Sequence, residues 1–367
     1  MLPQLRSYLM EHWDDLPGRP PPPTRLTFLG QATGVGKVCY FVFVDDEKRP
    51  RYIAKAPRSP VHNGDLRREV AVIDELRARL PSDLCATLPG PMLTTELAGH
   101  AVVVEPVLPG RPLDGIGAAA RPLDPATTER QLRLASDWLI AIQRAAPHRR
   151  ERLADEDVQE HFLAPVEAFR RNADLTTTEE RYLDGVTARA RALVGQRLPL
   201  YLYHGDFRAG NILVDGDRLA VLDWQFYRPL APPLLDWFGF AFRLYCHGTG
   251  TPDIDGPLDA YRTAFAKVFL DEGGFGAQVH RFTRLQCEAL DVEPAHLRLL
   301  LATWLVTSAN KFHGFLAERA QRGYLYLLKD ARWAGRSYRE QLRRQAYVWL
   351  LGGLAAEELR VNGARSR

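Results

Sequence analysis

Polar side chains that could bind a metal ion or move a proton separate two apolar, strand-like segments in the middle of the chain. Asp206 and Asn211 lie in the stretch 203–214, and Asp223 ends the second segment, within 221–225. An Asp-Gly-Asp turn joins the segments, which predicts a hairpin that returns these side chains to one sheet edge. Asn211 and Asp223 carry hard oxygen ligands of the kind Mg²⁺ accepts. Asp206 is close enough in sequence to face the same pocket without joining the metal ligands.

The spacing of these residues resembles the signature of a known family. The chain carries the pattern His204-x-Asp206-x-x-x-x-Asn211. Together with Asp223, this pattern resembles the aminoglycoside phosphotransferase/choline kinase-like family, which shares the protein-kinase fold. The resemblance implies that Asp206 is the catalytic base, that Asn211 and Asp223 hold Mg²⁺, and that His204 supports the loop. Turns favour Asp, Gly and Asn in general, but that preference does not explain all four residues at this spacing.

The same resemblance implies an architecture. We expect an α+β, bilobal, protein-kinase-like fold with a small antiparallel β-sheet lobe that carries a helix, followed by a larger, mainly α-helical lobe. The predicted divisions are an N-terminal helix with a Pro-rich connector over residues 1–24, a nucleotide-binding lobe over 25–108, and a catalytic and acceptor-binding lobe over 109–367. The connector prolines end a helix and impose extended backbone.

Composition limits the class of protein. A chain of 367 residues with 46% hydrophobic and 25% charged residues is typical of a globular protein with a substantial core. The formal charge of +3 is too small, and its arginines too scattered, to indicate nucleic-acid binding. No apolar run is long enough to span a membrane, so we expect a cytoplasmic protein. Its four cysteines lie far apart and are expected to be free thiols: Cys39, Cys85, Cys246 and Cys287.

A glycine-rich stretch, residues 30–37, precedes a strand-like segment and admits two interpretations. A Walker A loop would need glycine at Gln31 and a hydroxyl residue at Val38, and a helix would follow. The stretch fails on all three counts. A hairpin that covers nucleotide phosphates with Gly34 and Gly36 fits better, although an ordinary turn would give the same pattern.

A lysine and a glutamate could orient phosphate groups. Lys55 closes a strand-like run and resembles the strand lysine that contacts the α- and β-phosphates in kinases. Glu69 lies about one turn into a segment with helical apolar spacing, so it could pair with Lys55. Arg68 and Glu75 are the alternative charged residues of that helix, and charges on helices are commonly solvated.

The segment 102–106 resembles the hinge between kinase lobes. There, backbone groups around Glu105 and Val107 would bind the adenine edge of ATP, or of GTP as the alternative nucleotide. A plain interdomain linker is the competing interpretation.

Helix signals dominate the second half of the chain. Asp124 and Pro125 form an N-cap and first-turn pair, and Thr177 with Glu180 indicates a capping box. Residues 294–310 have the clearest helical apolar register.

Several residues of this half are candidates for supporting roles. By resemblance, Asp236 would brace the catalytic loop through backbone hydrogen bonds, with a helix N-cap as the alternative. Gln225 stands where many family members have Glu. A Gln at this position resembles relatives that phosphorylate bulkier alcohols. The acceptor pocket would be walled by aromatic and histidine side chains: Trp224, Tyr227, Trp304 and His313.

These patterns predict an ATP-dependent kinase that transfers the γ-phosphoryl group to a hydroxyl of a small molecule, such as an antibiotic, an amino alcohol, a sugar or a bulkier alcohol. A protein kinase is disfavoured because only eleven residues separate Asn211 from Asp223, Trp224 replaces the usual Phe, and no Ala-Pro-Glu element follows. A non-catalytic nucleotide-binding protein of the same fold is the alternative. We expect no nucleic-acid or membrane partner, and the sequence does not indicate an oligomeric state.

Overall fold

The structure is a computed structural model that describes residues 1–16, 20–33, 36–113, 124–251 and 258–321. Its contacts divide the chain into two compact units that alternate along the sequence. The first, here called the sheet unit, comprises Met1–Gly115, His204–Asp206 and Gly210–Tyr227. The second, the helical unit, comprises Ile116–Tyr203, Phe207–Ala209 and Arg228–Arg367. The domain boundary that the sequence places at residue 109 stays a prediction.

A five-stranded antiparallel sheet forms the centre of the sheet unit. Its strands follow the order β1-β2-β3-β5-β4. They are β1 (Leu26–Thr33), β2 (Lys37–Val44), β3 (Tyr52–Pro57), β4 (Leu93–Leu97) and β5 (His100–Pro106). Thr33 pairs with Lys37, so the connection between β1 and β2 is only three residues long. The expected glycine-rich turn is therefore shorter than the sequence suggested, because residues 30–33 continue β1.

Strand alternation gives this sheet two different faces. One face is apolar and is covered by helix α1 (Leu2–Glu11) and a short 3₁₀ turn (Trp13–Asp15). Leu5, Leu9 and Trp13 pack there against side chains of β2, β3 and β5, which confirms the predicted N-terminal helix. The Trp13 indole meets Tyr52 edge to face, and its Nε1 donates to the carbonyls of Pro20 and Pro21 at 3.0 and 2.9 Å.

Helix α2 (Asn63–Arg79) packs on the opposite face of the sheet. Leu66 forms a small apolar cluster with Ala101 and Val103 of β5. Leu66, Glu69, Ile73 and Leu76 are buried at helical spacing, so α2 turns one stripe toward the sheet. Glu69 is the charged member of that stripe. The short helix α3 (Ser82–Cys85) follows.

A three-stranded sheet completes the sheet unit. It consists of β6 (Arg111–Pro112), β8 (Ile212–Asp215) and β9 (Arg218–Val221), in the order β6-β8-β9. The pairing of Asp215 with Arg218 confirms the predicted hairpin. Gly110 has a φ of 116° and its backbone lies so close to Val214 that a Cβ atom would sit 2.8 Å from the Val214 carbonyl carbon.

The helical unit contains most of the helices. They are α4 (Pro125–Ala145), α5 (Asp155–Val158), α6 (Ala164–Asn172), α7 (Thr177–Arg191), α8 (Leu235–Gly248), α9 (Leu258–Phe265), α10 (Gly274–Ala289) and α11 (Leu297–Gln321). Two π-helical turns, Gln159–Leu163 and Ala266–Leu270, continue α5 and α9. Strands β7 (Tyr201–Tyr203) and β10 (Arg228–Ala231) form a two-stranded sheet.

The structure contains both predicted helix N-caps, but one of them lies one residue away from its predicted position. Asp124 accepts from the Thr127 amide at 2.8 Å, as expected for the N-cap of α4. The capping box of α7 lies one residue earlier than predicted. Thr176 has extended backbone and its amide donates to Glu179 at 2.7 Å, whereas Thr177 is already the first helical residue. The register of the box is decided by this backbone switch, which the sequence alone does not show.

Aromatic side chains fill the core of the helical unit. Trp304 of α11 contacts Phe238 and Phe242 of α8, together with Phe269. The Trp237 indole donates to Thr283 Oγ1 of α10 at 2.8 Å, so its single polar group is satisfied in the core. None of the four cysteines forms a disulfide bond. Across the parts of the chain that the structure describes, no helix is both long and apolar enough to cross a bilayer.

Candidate active site

Asp206 and Asn211 are hydrogen-bonded to each other in the sheet unit. Asn211 Nδ2 donates to Asp206 Oδ2 at 2.9 Å and to the Asp206 carbonyl at 3.0 Å. Because the amide nitrogen of Asn211 faces Asp206, its oxygen Oδ1 is the atom that could bind a metal ion. A 3₁₀ turn (Ala209–Asn211) places Asn211 directly before β8, so the sheet fixes its position.

His204 connects the start of this loop to the strand that delivers Asp223. The Asp206 amide donates to His204 Nδ1 at 3.1 Å, and His204 Nε2 lies 3.0 Å from the Leu222 carbonyl. With Nδ1 accepting, the proton of a neutral ring sits on Nε2 and is donated to Leu222. The imidazole is fully buried and meets the Trp224 ring edge to face. The structure thus gives His204 contacts suited to holding the loop.

Gly205 allows a close approach that no other residue would. Its φ is 83°, and a Cβ atom at this position would lie 2.6 Å from the Phe226 carbonyl oxygen. The backbone after Asp223 is therefore packed directly against the backbone before Asp206.

Asp223 adopts a left-handed backbone conformation, with a φ of 67°. Its Oδ1 accepts from Lys37 Nζ at 2.9 Å, and its Oδ2 lies 3.4 Å from Gln225 Nε2. Gln225 therefore points back to the proposed metal ligand. The Asp223 side chain remains 29% exposed, which leaves room for ligands.

Buried charges continue from Asp223 across one face of the five-stranded sheet. Lys37 also binds Glu69, whose other oxygen lies 3.8 Å from Lys55 Nζ. Lys55 Nζ contacts Glu105 Oε1 at 2.5 Å. Burial alone would lower the pKa of the Lys55 ammonium, but Glu105 and Glu69 outweigh burial and raise that pKa. For Lys37 the balance is the same: burial lowers its pKa, and the stronger combined effect of Glu69 and Asp223 raises it.

The sequence predicted the pairing of Lys55 with Glu69. It did not indicate that Lys37 and the Glu105 side chain join the same set of contacts. Strand alternation could have indicated both. Cys39 pairs with Lys55, so Lys37, two residues earlier, lies on the same face as Lys55. Ile53 pairs with Glu105, which brings that carboxylate to the same face.

The predicted adenine contacts at the backbone around Glu105 and Val107 stay predictions. The Val107 amide donates to the Arg51 carbonyl at 3.0 Å, because the chain continues to pair with the start of β3. This N–H is therefore already used. Of the two loop glycines, Gly34 lies outside the described residues. Gly36 lies in the turn before β2, and its carbonyl accepts from the Arg58 amide at 3.0 Å.

Asp236 is buried in the first turn of α8, in the helical unit. The N-cap of α8 is Leu234, which has a φ of 67°, so the alternative that Asp236 is an N-cap is wrong. The bracing role stays a prediction.

The four candidates for the acceptor pocket fall in both units. Trp224 and Trp304 are 0% and 2% exposed, so their rings pack in the protein interior and offer no surface to an acceptor. Tyr227 is half-buried, and burial, reinforced by Glu75 and opposed by Arg79, raises its pKa to about 12. His313 is half-buried on α11, and burial lowers its pKa.

The donor atoms suit a hard divalent cation. The Leu222 amide donates to the Asn211 carbonyl at 2.9 Å, and this bond connects the segments that carry the two candidate oxygen ligands, Asn211 Oδ1 and the Asp223 carboxylate. Mg²⁺ typically takes one or two carboxylates and completes its shell with water and phosphate oxygens. In the described residues, no group of three or more His, Cys, Asp or Glu side chains could hold a metal.

A sequence profile described as the phosphotransferase enzyme family matches residues 40–274, more than half of the chain. The chain therefore belongs to the phosphotransferase enzyme family. No curated protein matches the chain by sequence.

The likeness to a solved kinase structure shows that the fold is kinase-like. The amicoumacin kinase hAmiN, in complex with AMP-PNP, Ca²⁺ and Ami, is 12% identical with a TM-score of 0.50, over 87% of this chain and 89% of that one. A thermostable mutant of aminoglycoside phosphotransferase APH(4)-Ia, with AMP-PNP and hygromycin B, is 14% identical with a TM-score of 0.45, over 84% and 97% of the chains. Aminoglycoside phosphotransferase APH(3'')-Id from Streptomyces rimosus is 16% identical with a TM-score of 0.41, over 80% and 98%.

Proposed function

We propose that this phosphotransferase is an ATP-dependent kinase that moves the γ-phosphoryl group to a hydroxyl of a small-molecule acceptor. One observation carries the proposal: Asp206, Asn211 and Asp223 lie in the same compact unit as the charged contacts that run from Asp223 to Lys55. Family membership supports the reaction class, and the hAmiN complex with AMP-PNP and Ca²⁺ supports a nucleotide and a divalent cation as ligands.

Asp206 is proposed as the base. The Asn211 amide orients its carboxylate through Oδ2, and the fixed loop holds it in place. A carboxylate placed in this way can accept the proton of an acceptor hydroxyl as the oxygen attacks phosphorus. General-base assistance of this kind is typically worth about 10²–10⁴-fold in rate.

Asn211 and Asp223 are proposed to hold Mg²⁺. When bound, the ion would neutralise charge on the phosphate oxygens and orient the terminal phosphoryl group. Lys55 would contact the α- and β-phosphates, with Glu69 and Glu105 fixing its ammonium. Because phosphoryl transfer depends mainly on positioning and electrostatic stabilisation, this fixed geometry is what the protein contributes.

The adenine ring is proposed to lie against the same face of the sheet. Phe41 and Ile53 pair across β2 and β3, and Leu29 faces Phe41 from β1. Leu29 is 60% exposed and lies beside the partly buried Phe41 and Ile53, so the three side chains offer an apolar surface that a flat ring could cover.

A small molecule is the proposed acceptor. Only eleven residues separate Asn211 from Asp223 and twelve separate Asp223 from Asp236, which leaves no room for a long activation segment. Tyr227 and His313 stay proposals as acceptor contacts, and ATP is favoured with GTP as the alternative donor.

The test is an acceptor screen coupled to ADP release, with the product identified by mass spectrometry. Wild-type protein with Mg·ATP should phosphorylate at least one hydroxyl compound. Asp206→Asn should keep Mg·ATP affinity but lose about 10²-fold or more in turnover. Asp217→Asn is the matched control, because it removes a carboxylate from the exposed turn of the same hairpin.

Two results would contradict the proposal. Turnover close to wild type in Asp206→Asn would remove that residue from the base role. Tight Mg·ATP binding without any phosphorylated product across the screen would favour a nucleotide-binding protein that does not catalyse.

A further inference from the structure

Lys37 is a buried cation that the proposed reaction does not yet use. It is the first residue of β2, directly after the glycine-rich connection. Its Nζ lies 2.9 Å from Asp223 Oδ1 and also binds Glu69. The side chain is only 15% exposed, so both contacts are made in a largely desolvated environment, where charge-assisted hydrogen bonds are strong.

Lys37 lies between the proposed phosphate ligand Lys55 and the proposed metal ligand Asp223. Glu69 contacts both Lys37 and Lys55, so the two ammonium groups share one carboxylate. Lys55 is the proposed ligand of the α- and β-phosphates, and Asp223 is the proposed metal ligand. A triphosphate that reaches from Lys55 to a metal at Asp223 therefore passes the Lys37 ammonium.

Lys37 and a divalent cation would compete for Asp223. Two positive groups held by one carboxylate repel each other strongly where solvent is largely excluded. A bound metal ion would therefore displace the ammonium from Asp223, while Glu69 would keep it in the site. Phosphate oxygens of a bound nucleotide could then accept from it, since the flexible stem of lysine lets the ammonium move between partners.

We propose that Lys37 is a second phosphate-binding lysine, which exchanges Asp223 for the terminal phosphates when the metal–nucleotide complex binds. This inference rests on the proposed function, because it takes Asp223 as the metal ligand and a nucleoside triphosphate as the substrate. Lys37 has opposite effects on two binding affinities. It opposes binding of a metal ion alone, and it favours binding of the metal together with the nucleotide.

These opposite effects on metal and metal–nucleotide affinity can be tested without measuring turnover. Lys37→Gln removes the charge, Lys37→Arg keeps it, and Lys48→Gln removes a lysine charge from an exposed turn of the same unit. Free Mn²⁺ is titrated by electron paramagnetic resonance without nucleotide, and Mg·ATP is titrated by calorimetry. Each variant is checked by circular dichroism and thermal unfolding.

We expect Lys37→Gln to bind Mn²⁺ alone about tenfold more tightly and Mg·ATP at least about tenfold more weakly, as loss of a hydrogen bond to a charged group implies. Lys37→Arg should retain Mg·ATP affinity within severalfold, and Lys48→Gln should change neither value. If Lys37→Gln does not fold, Lys37→Met is measured in the same way, because its apolar stem retains the packing.

Unchanged Mg·ATP affinity without the Lys37 charge would overturn the inference, as would weaker Mn²⁺ binding. Failure of the kinase proposal would look different. In that case no acceptor would be phosphorylated by the wild type, while opposite shifts of metal and nucleotide affinity in Lys37→Gln would still support the role of Lys37.

Discussion

Five charged side chains of the sheet unit, most of them largely buried, lie close to one another. Lys37 and Lys55 supply two ammonium groups, and Glu69, Glu105 and Asp223 supply three carboxylates. Burying a charge is costly unless it is paired, so each member depends on its neighbours. The arrangement could bind ligands, but it lowers the stability of the protein unless every charge in it is paired.

Glu105→Gln should be strongly destabilising. Both Glu105 and Lys55 are buried, and the substitution removes the nearer negative charge, so that Glu69 at 3.8 Å is the carboxylate left to neutralise the Lys55 ammonium. Removing one partner of a buried pair typically costs about 3–5 kcal/mol, and the remaining Glu69 places this case near the lower end. Urea unfolding monitored by circular dichroism measures the change.

The control is a pair of the same type at the surface. Arg67 and Glu96 are 2.6 Å apart, and both are more than half exposed. Glu96→Gln should change the free energy of unfolding by no more than about 1 kcal/mol. Equal effects of the two substitutions would show that burial does not control the strength of the Lys55 contact.

The hydrogen-bonding residues of the loop were found from the sequence because they are close together along the chain. His204, Asp206 and Asn211 share one short segment, and their spacing alone indicates one site. Lys37 and Glu105 reach the site through strand register, which depends on pairing between segments far apart in sequence. The burial of Trp224 and Trp304 depends in the same way on packing that one segment does not encode.

At the scale of elements, helix α1 stabilises the sheet from the face opposite the charged residues. Leu5, Leu9 and Trp13 are buried against β2, β3 and β5. The other face holds Lys37, Lys55 and α2. Strands β2, β3 and β5 therefore present apolar residues to α1 on one face and Lys37, Lys55 and Glu105 on the other. Packing of α1 supports the strands that position the lysines.

Leu9→Ala should lower the free energy of unfolding by about 2–5 kcal/mol, because it opens a cavity beneath a fully buried side chain. Leu2→Ala is the control on the same helix, since Leu2 is 41% exposed, and it should change stability by no more than about 0.5 kcal/mol. Thermal or urea unfolding compares the two. Similar losses for both variants would indicate that α1 does not depend on its buried face.

The helices themselves were largely predictable, because apolar periodicity is local. Asp124 and Pro125 begin α4 as expected, and α11 follows the predicted register, although it starts at Leu297 after a 3₁₀ turn. Shifts of a few residues at the ends of elements arise because those ends are decided by pairing and packing partners rather than by composition.

At the scale of the whole molecule, the proposed nucleotide and metal ligands belong to one compact unit. Lys37, Lys55, Asn211 and Asp223 all lie in the sheet unit, although they come from two distant parts of the chain. Binding of a metal–nucleotide complex should therefore stabilise this unit first. At a ligand concentration of 100 times the dissociation constant, the stabilisation is about 2.7 kcal/mol.

Hydrogen exchange with mass spectrometry should detect this effect. Mg·ADP should slow exchange most in segments 37–57 and 204–226, and removal of Mg²⁺ with EDTA should reverse much of the protection. Asp223→Asn is expected to bind Mg·ADP weakly and to show little protection at the same nucleotide concentration. Protection confined to the helical unit would contradict this placement of the site.

The pairing of β6 with β8 has a consequence for synthesis of the protein. Arg111 and Pro112 pair with Val214 and Leu213, about a hundred residues later. A ribosome that adds about 5–20 residues per second delivers β8 on the order of ten seconds after β6. During that interval the nascent chain holds Lys37, Lys55 and Glu69 without Asp223, and the buried ammonium groups lack one of their carboxylates until translation has passed the hairpin.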